Sequence, residues 1–146
     1  YMAATRLMLA GYKKIIYAAS SQDGPFARII NRGVFDALRD HRPDFKRDDS
    51  FFDFPMYYME HPEHTARMDA FIADAEPGTG IVCRSPNIAD ALALKLRGRG
   101  GRVPEDFGLI GVATRSCAGH SGAVDEVRFD WGAMLRQALD AVSIPD

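Results

Sequence analysis

Several groupings in this 146-residue sequence hold side chains of the kinds that catalysis or metal binding requires. Gly119-His120-Ser121-Gly122-Ala123 has the outline of a nucleophile elbow, where a serine on a tight strand-to-helix turn presents its hydroxyl to an acyl carbon. That turn needs a strand directly before it and a helix directly after, yet residues 114–118 intervene and a strand-like stretch follows. The hydrolase order also places the catalytic histidine after the serine, and no histidine follows His120. A loop of small residues is the better reading. His61 and His64 stand three apart, a spacing that can put two imidazoles on one helical face for a metal. Pro62 between them and the lack of a third ligand make this a solvated helix start. Gly98, Gly100 and Gly101 form no phosphate loop, because no Lys-Ser/Thr follows Gly101. Asp48-Asp49 and Asp125-Glu126 are adjacent along the chain and do not face each other, so both read as charged turns. The expectation is no catalytic residue, no metal and no cofactor: not an enzyme.

The remaining candidates bind rather than react. Arg28 falls one turn into a helix that Pro25 opens, and Arg84 directly precedes Ser85-Pro86, a hydroxyl cap followed by proline at the first helical position. Helix starts of this kind present free amides that welcome anions or hydroxyls. Tyr57 offers a stacking face, and Thr114 a hydroxyl just past an apolar run. Arg28, Tyr57, Arg84, Ser85 and Thr114 are therefore the candidate ligand contacts. The plainer reading pairs both arginines with surface carboxylates and lays the tyrosines over a sheet edge.

The hydrophobic pattern supplies elements to position them. Residues 3–9 read as a helix, 14–18 as a compact β-branched strand, and 25–42 as a helix with Phe26, Ile29, Ile30, Val34 and Leu38 at helical spacing. Residues 51–56, interrupted by Asp53 and Pro55, predict a strand near a sheet edge. A helix carrying Met68, Phe71 and Ile72 follows, then a turn over 77–80 and a strand over 81–83. The helix after Ser85 places Ile88, Ala89, Leu92 and Leu96 on one side and stops at Gly98. Residues 108–112 form a buried strand, 127–129 a short one, and 131–142 a last helix. Strands alternating with helices predict right-handed crossovers and a three-layer α-β-α domain around a mostly parallel sheet. In such a sheet ligands bind outside the carboxyl ends of the strands, where loops 20–24, 56–60, 84–85 and 113–116 meet.

Length and charge narrow the class further. The chain suits one domain. A formal charge of -2 gives no basic footprint for nucleic acid. The glycine-broken run 95–102 reads as a solvated loop. Cys83 lies in an apolar run and reads as a buried free thiol, which suits a reducing compartment. No apolar run approaches the roughly 20 residues that span a bilayer.

Three stretches resemble the lactose-repressor (LacI/GalR) family of bacterial transcription regulators. Thr5-Arg6-Leu7-Met8-Leu9-Ala10-Gly11-Tyr12-Lys13-Lys14-Ile15-Ile16-Tyr17 is similar to its helix-Gly-His-Lys/Arg-Ile-strand opening, with Tyr12 where histidine is usual. Gly33-Val34-Phe35-Asp36-Ala37-Leu38 resembles its Gly-Phe-x-x-Ala-Leu helix. Gly101-Arg102-Val103-Pro104-Glu105-Asp106-Phe107-Gly108-Leu109-Ile110-Gly111 is similar to its Gly-x-x-Val-Pro-x-Asp signature, in which proline and acid shape the turn into a central strand.

The resemblance covers residues 3–139 and implies a periplasmic-binding-protein-like lobe, 1–146, belonging to a two-lobe sensor that closes on a small-molecule effector. It also implies a cytoplasmic homodimer that reaches DNA only through an N-terminal helix-turn-helix headpiece, which together with the first half of the N-terminal lobe lies outside this sequence. No membrane is involved. A periplasmic-type solute-binding receptor of a transport system is the alternative with the same architecture.

Three departures bear on the effector. Ile30 stands where sugar-responsive members carry a ligand-clasping arginine, Ser85-Pro86 replaces an Asn-Asp pair, and Ala113 replaces an aspartate. Each buried sugar hydroxyl left unpaired costs roughly 1–3 kcal/mol, which disfavours an ordinary pyranose.

Overall fold

The computed structural model describes residues 1–19, 25–53, 62–113, 124–128 and 130–142. Helix α1 (Met2–Leu9) leads to strand β1 (Lys14–Ala19), α2 (Pro25–His41), a 3-10 turn (Asp48–Ser50) and β2 (Phe51–Asp53). Then come α3 (Pro62–Asp74), β3 (Thr79–Cys83), α4 (Pro86–Gly98), β4 (Phe107–Ala113), β5 (Asp125–Arg128) and α5 (Trp131–Val142). The strands form one sheet in the order β2-β1-β3-β4-β5, and every pairing is parallel. The short, aspartate-ended β2 occupies an edge, as its interrupted pattern requires.

Alternation along the strands divides the core into two layers. Ile15, Tyr17, Ala19, Val82, Ile110 and Val112 point to the side covered by α1 and α2. Ala18, Ile81, Cys83, Phe107 and Leu109 point to the side covered by α3 and α4. Because both sheet faces are covered, β3 and β4 are buried at every position. On α4, Ile88, Ala89, Leu92 and Leu96 form the buried stripe that helical spacing predicts. Each fully buried leucine or isoleucine contributes about 1.5–3 kcal/mol relative to exposure.

The structure departs from expectation at several places. Ile29 is 70% exposed. The stripe of α2 runs instead through Ile30, Val34, Ala37 and Leu38, which share the face toward β1. Thr79 and Gly80 belong to β3 rather than to a turn, because they pair with Lys14 and Ile15 on one side and Phe107 and Gly108 on the other. Asp125-Glu126 lies on β5, not in a turn, and its two carboxylates separate by strand alternation: Asp125 pairs with Arg6, and Glu126 with Arg128. The basic run 95–102 is partly the last turn of α4, with Lys95 paired to Asp69 on α3.

Two local features set the turn geometry. Asp106 accepts hydrogen bonds from the Arg102 backbone N–H at 3.0 Å and from its guanidinium at 3.0 and 2.7 Å, closing the loop into β4. These bonds favour the ionised form and hold the Asp106 pKa down at about 2. Gly111 faces the first turn of α4, where an added Cβ would lie 2.6 Å from Pro86 Cα. Backbone cannot rotate away as a side-chain tip can.

Gly111→Ala is expected to lower stability by about 1–3 kcal/mol in urea unfolding, because it overpacks the junction of α4 and β4. The Asp106 carboxyl should titrate near pH 2 by NMR. Its folded-state pKa is depressed, so the contribution of this pair is complete above the ordinary aspartate range and is lost as pH falls through about 2.

Candidate functional site

Strands β1 and β3 are hydrogen-bonded neighbours, from Lys14 opposite Thr79 to Ala18 opposite Cys83. The helix after β1 covers one face and the helix after β3 covers the other. The helices that follow the two strands therefore lie on opposite faces, which makes the carboxyl ends of β1 and β3 a topological switch point. This switch point is where an α/β sheet of this order accepts a ligand.

Three candidate contacts flank it. Arg84 donates its backbone N–H to Ala18 O at 3.0 Å, extending the β1–β3 ladder one residue beyond Cys83 and anchoring the half-buried arginine at the crevice. Ser85 follows in extended conformation as the N-cap of α4, its Oγ accepting the Ile88 N–H at 3.4 Å. That bond uses the serine as an acceptor but leaves its hydroxyl proton for a ligand. Pro86 has no N–H, and that of Ile88 is committed to the cap. Of the first three residues of α4, only Asn87 keeps an uncommitted amide among the described residues, so this helix start offers less to an anion than the sequence suggests. Arg28 lies on the first turns of α2 with its side chain exposed. Tyr57 and Thr114 lie outside the described residues, as do His61, Cys117 and the 119–123 stretch.

Sequence reasoning passed over the side chains that hold α2 in place. Tyr17 is fully buried, and its hydroxyl donates to Asn31 Oδ1 at 2.8 Å, joining β1 to α2 three residues beyond Arg28. Phe35 meets the Tyr17 ring edge-on at 6.0 Å. The available signal was Asn31, a polar residue beside the apolar stripe of α2. Ile30 and Ala113 are both buried and apolar.

Cys83 ends β3 directly beneath this edge. It is a free, completely buried thiol, and burial pushes its pKa up, so it supplies no nucleophile. Among the described residues, no three His, Cys, Asp or Glu side chains converge to hold a metal ion. No described helix is long and apolar enough to cross a membrane.

Neither a protein-family model nor a curated protein matches the sequence. Solved structures do. The Escherichia coli transcriptional repressor AscG superposes with a TM-score of 0.71 at 20% identity, over 96% of this chain and 50% of its own. A sugar-binding transcriptional regulator of the LacI family from E. coli, complexed with phosphate, gives 0.71 at 21%, over 94% of this chain and 49% of its own. The chain shares the fold of about half of each of these two regulators. The xylose-binding transcription activator XylR also shares it, with a TM-score of 0.63 at 16% identity over 98% of this chain and 40% of its own. The chain thus spans about half the length of the regulators it resembles. These neighbours are transcriptional regulators and not enzymes.

Folded protein should leave Cys83 unmodified by a small maleimide at neutral pH, with labelling appearing only on unfolding. Mass spectrometry of the peptide carrying Cys83 reads this directly, and labelling of the native state would contradict the burial.

Proposed function

We propose that this chain is one lobe of the effector-binding domain of a LacI/GalR-type transcriptional regulator. The lobe closes with a second lobe on a small molecule and passes that closure to a DNA-binding headpiece elsewhere in the protein. The observation that carries this is the match of nearly the whole chain, 96%, to half of a known repressor, supported by a topological switch point between β1 and β3. The regulators found among the structural neighbours favour this reading over a transport receptor. The protein is not an enzyme, acts in the cytoplasm and works as a homodimer. It reaches DNA only through the headpiece.

The crevice favours a ligand rich in acceptors. Arg84, the Ser85 hydroxyl and the Asn87 amide all donate, and Arg28 adds a second positive charge. Tyr57 and Thr114, in the sequence segments that follow β2 and β4, are the remaining proposed contacts. Ile30 and Ala113 offer no polar atom, which counts against an ordinary pyranose. Effector acts by population shift: it binds the closed arrangement of lobes better, and only that difference in affinity moves the equilibrium. Helix α5 is the segment that returns toward the first lobe. Its Met134, Leu135 and Leu139 are 47%, 61% and 61% exposed on this lobe, and the contact would cover them.

In the intact regulator, Arg84→Ala should weaken the effector response about 10- to 100-fold, the loss expected from one or two charged hydrogen bonds, with an unchanged melting temperature. Operator binding titrated against effector measures this. A normal response from a normally folded variant would remove Arg84 from the site. A thermal-shift screen of sugars, nucleosides and amino acids on the complete sensor identifies the ligand class.

A further inference from the structure

A groove of about 410 Å³ opens at the other end of the sheet, between the carboxyl end of α1 and the first residues of β4 and β5. Its volume lies within the roughly 300–1,000 Å³ of small-molecule pockets. The walls are apolar: Leu7 and Ala10 from the α1 side, Val103 and Pro104 from the loop before β4, and Ile110 and Val124 from the sheet.

Tyr12 gives the groove a fixed aromatic wall. Its ring lies over Gly108, where an added Cβ would come within 2.3 Å of Tyr12 Cε2, so only glycine admits the ring. The phenol hydroxyl donates to the Pro104 carbonyl. This wall stands before any ligand arrives, which lowers the entropic cost of binding.

Charge is confined to one part of the rim. Arg6 Nη2 and Asp125 Oδ2 face each other at 3.4 Å, with their side chains 57% and 66% exposed. Such a water-screened pair holds weakly and is readily exchanged for better partners. Among the described residues Arg6 is the one cation lining the groove, while Glu105 joins Asp125 on the acidic side, close enough that both help burial raise the pKa of Tyr12.

We propose that this groove is a second ligand site, built for a compact zwitterion with an apolar body, such as a free apolar amino acid. The carboxylate pairs with Arg6, the ammonium with Asp125 on the side that Glu105 also makes negative, and the apolar side chain lies against Tyr12 and Ile110. Both rim charges exchange a screened contact for a charge-assisted one, and net charge is unchanged. The ligand would bridge α1 to β5, the strand from which α5 departs. The site is separate from the switch-point crevice, which lies at the carboxyl ends of the strands.

Calorimetric titration of the protein with L-leucine and L-phenylalanine tests this, alongside 4-methylpentanoate and isopentylamine, which each lack one charge. Saturable millimolar or tighter binding of the amino acids is expected, with each single-charge analogue weakened about tenfold or more. Asp125→Asn should weaken the amino acids by a similar factor, and Ala10→Trp, which fills the groove, should abolish their binding. Thermal melting reports whether each variant folds, and Asp125→Asn carries the test if Ala10→Trp does not. Arg84→Ala should leave this binding intact. No saturable binding overturns the proposal, as does binding that survives Asp125→Asn unchanged or that is lost on Arg84→Ala.

Discussion

Hydrogen bonding between β1 and β3 joins two strands whose following helices lie on opposite faces of the sheet. A parallel pair cannot be closed by a tight turn, so each strand needs a crossover, and each crossover must cover one apolar face. With α2 on one side and α4 on the other, the carboxyl ends of β1 and β3 are left between helices that cover opposite faces. The crevice is a consequence of topology before it is a matter of side chains. Arg84, tied to Ala18 by the first hydrogen bond beyond the strand, marks where order in the sheet gives way to the site.

Close contacts keep the covering helices in register. The first turn of α4 sits on β4 because Gly111 has no side chain to hold it off. On the opposite face, Tyr17 bonds to Asn31 and packs against Phe35, so a polar contact and an aromatic one both fix α2 against β1. The Arg102–Asp106 fork sets the entry to β4 from the surface, and it persists because both partners are ionised across the ordinary pH range. Each of these contacts lies away from the proposed effector, yet each fixes a backbone on which the effector contacts depend.

The proposed switch-point site and the proposed amino-end groove would together give the protein two ligand inputs. The crevice at the carboxyl ends is donor-rich and shares its place in the fold with the switch points of other α/β proteins. The groove at the amino ends has apolar walls, carries Arg6 and Asp125 at its rim, and depends on Tyr12, whose ring lies over Gly108. A histidine in place of Tyr12 would be shorter and could not reach the Pro104 carbonyl in the same way.

Local pattern alone was enough to find the elements. Apolar period and turn residues located α4 and its Ser85-Pro86 cap, the edge position of β2, and the buried strands β3 and β4, because each is dictated by neighbours within a few residues. Arg28, Arg84 and Ser85 were legible as candidates for the same reason: a helix start is a local event. Period could not say that Ile29 faces outward, since which arc of a helix is buried depends on the strand beneath it. Nor could it separate Asp125 from Glu126 or bring Tyr12 over Gly108. Those outcomes join residues far apart in the chain, and only the folded packing of strand on strand and helix on sheet decides them.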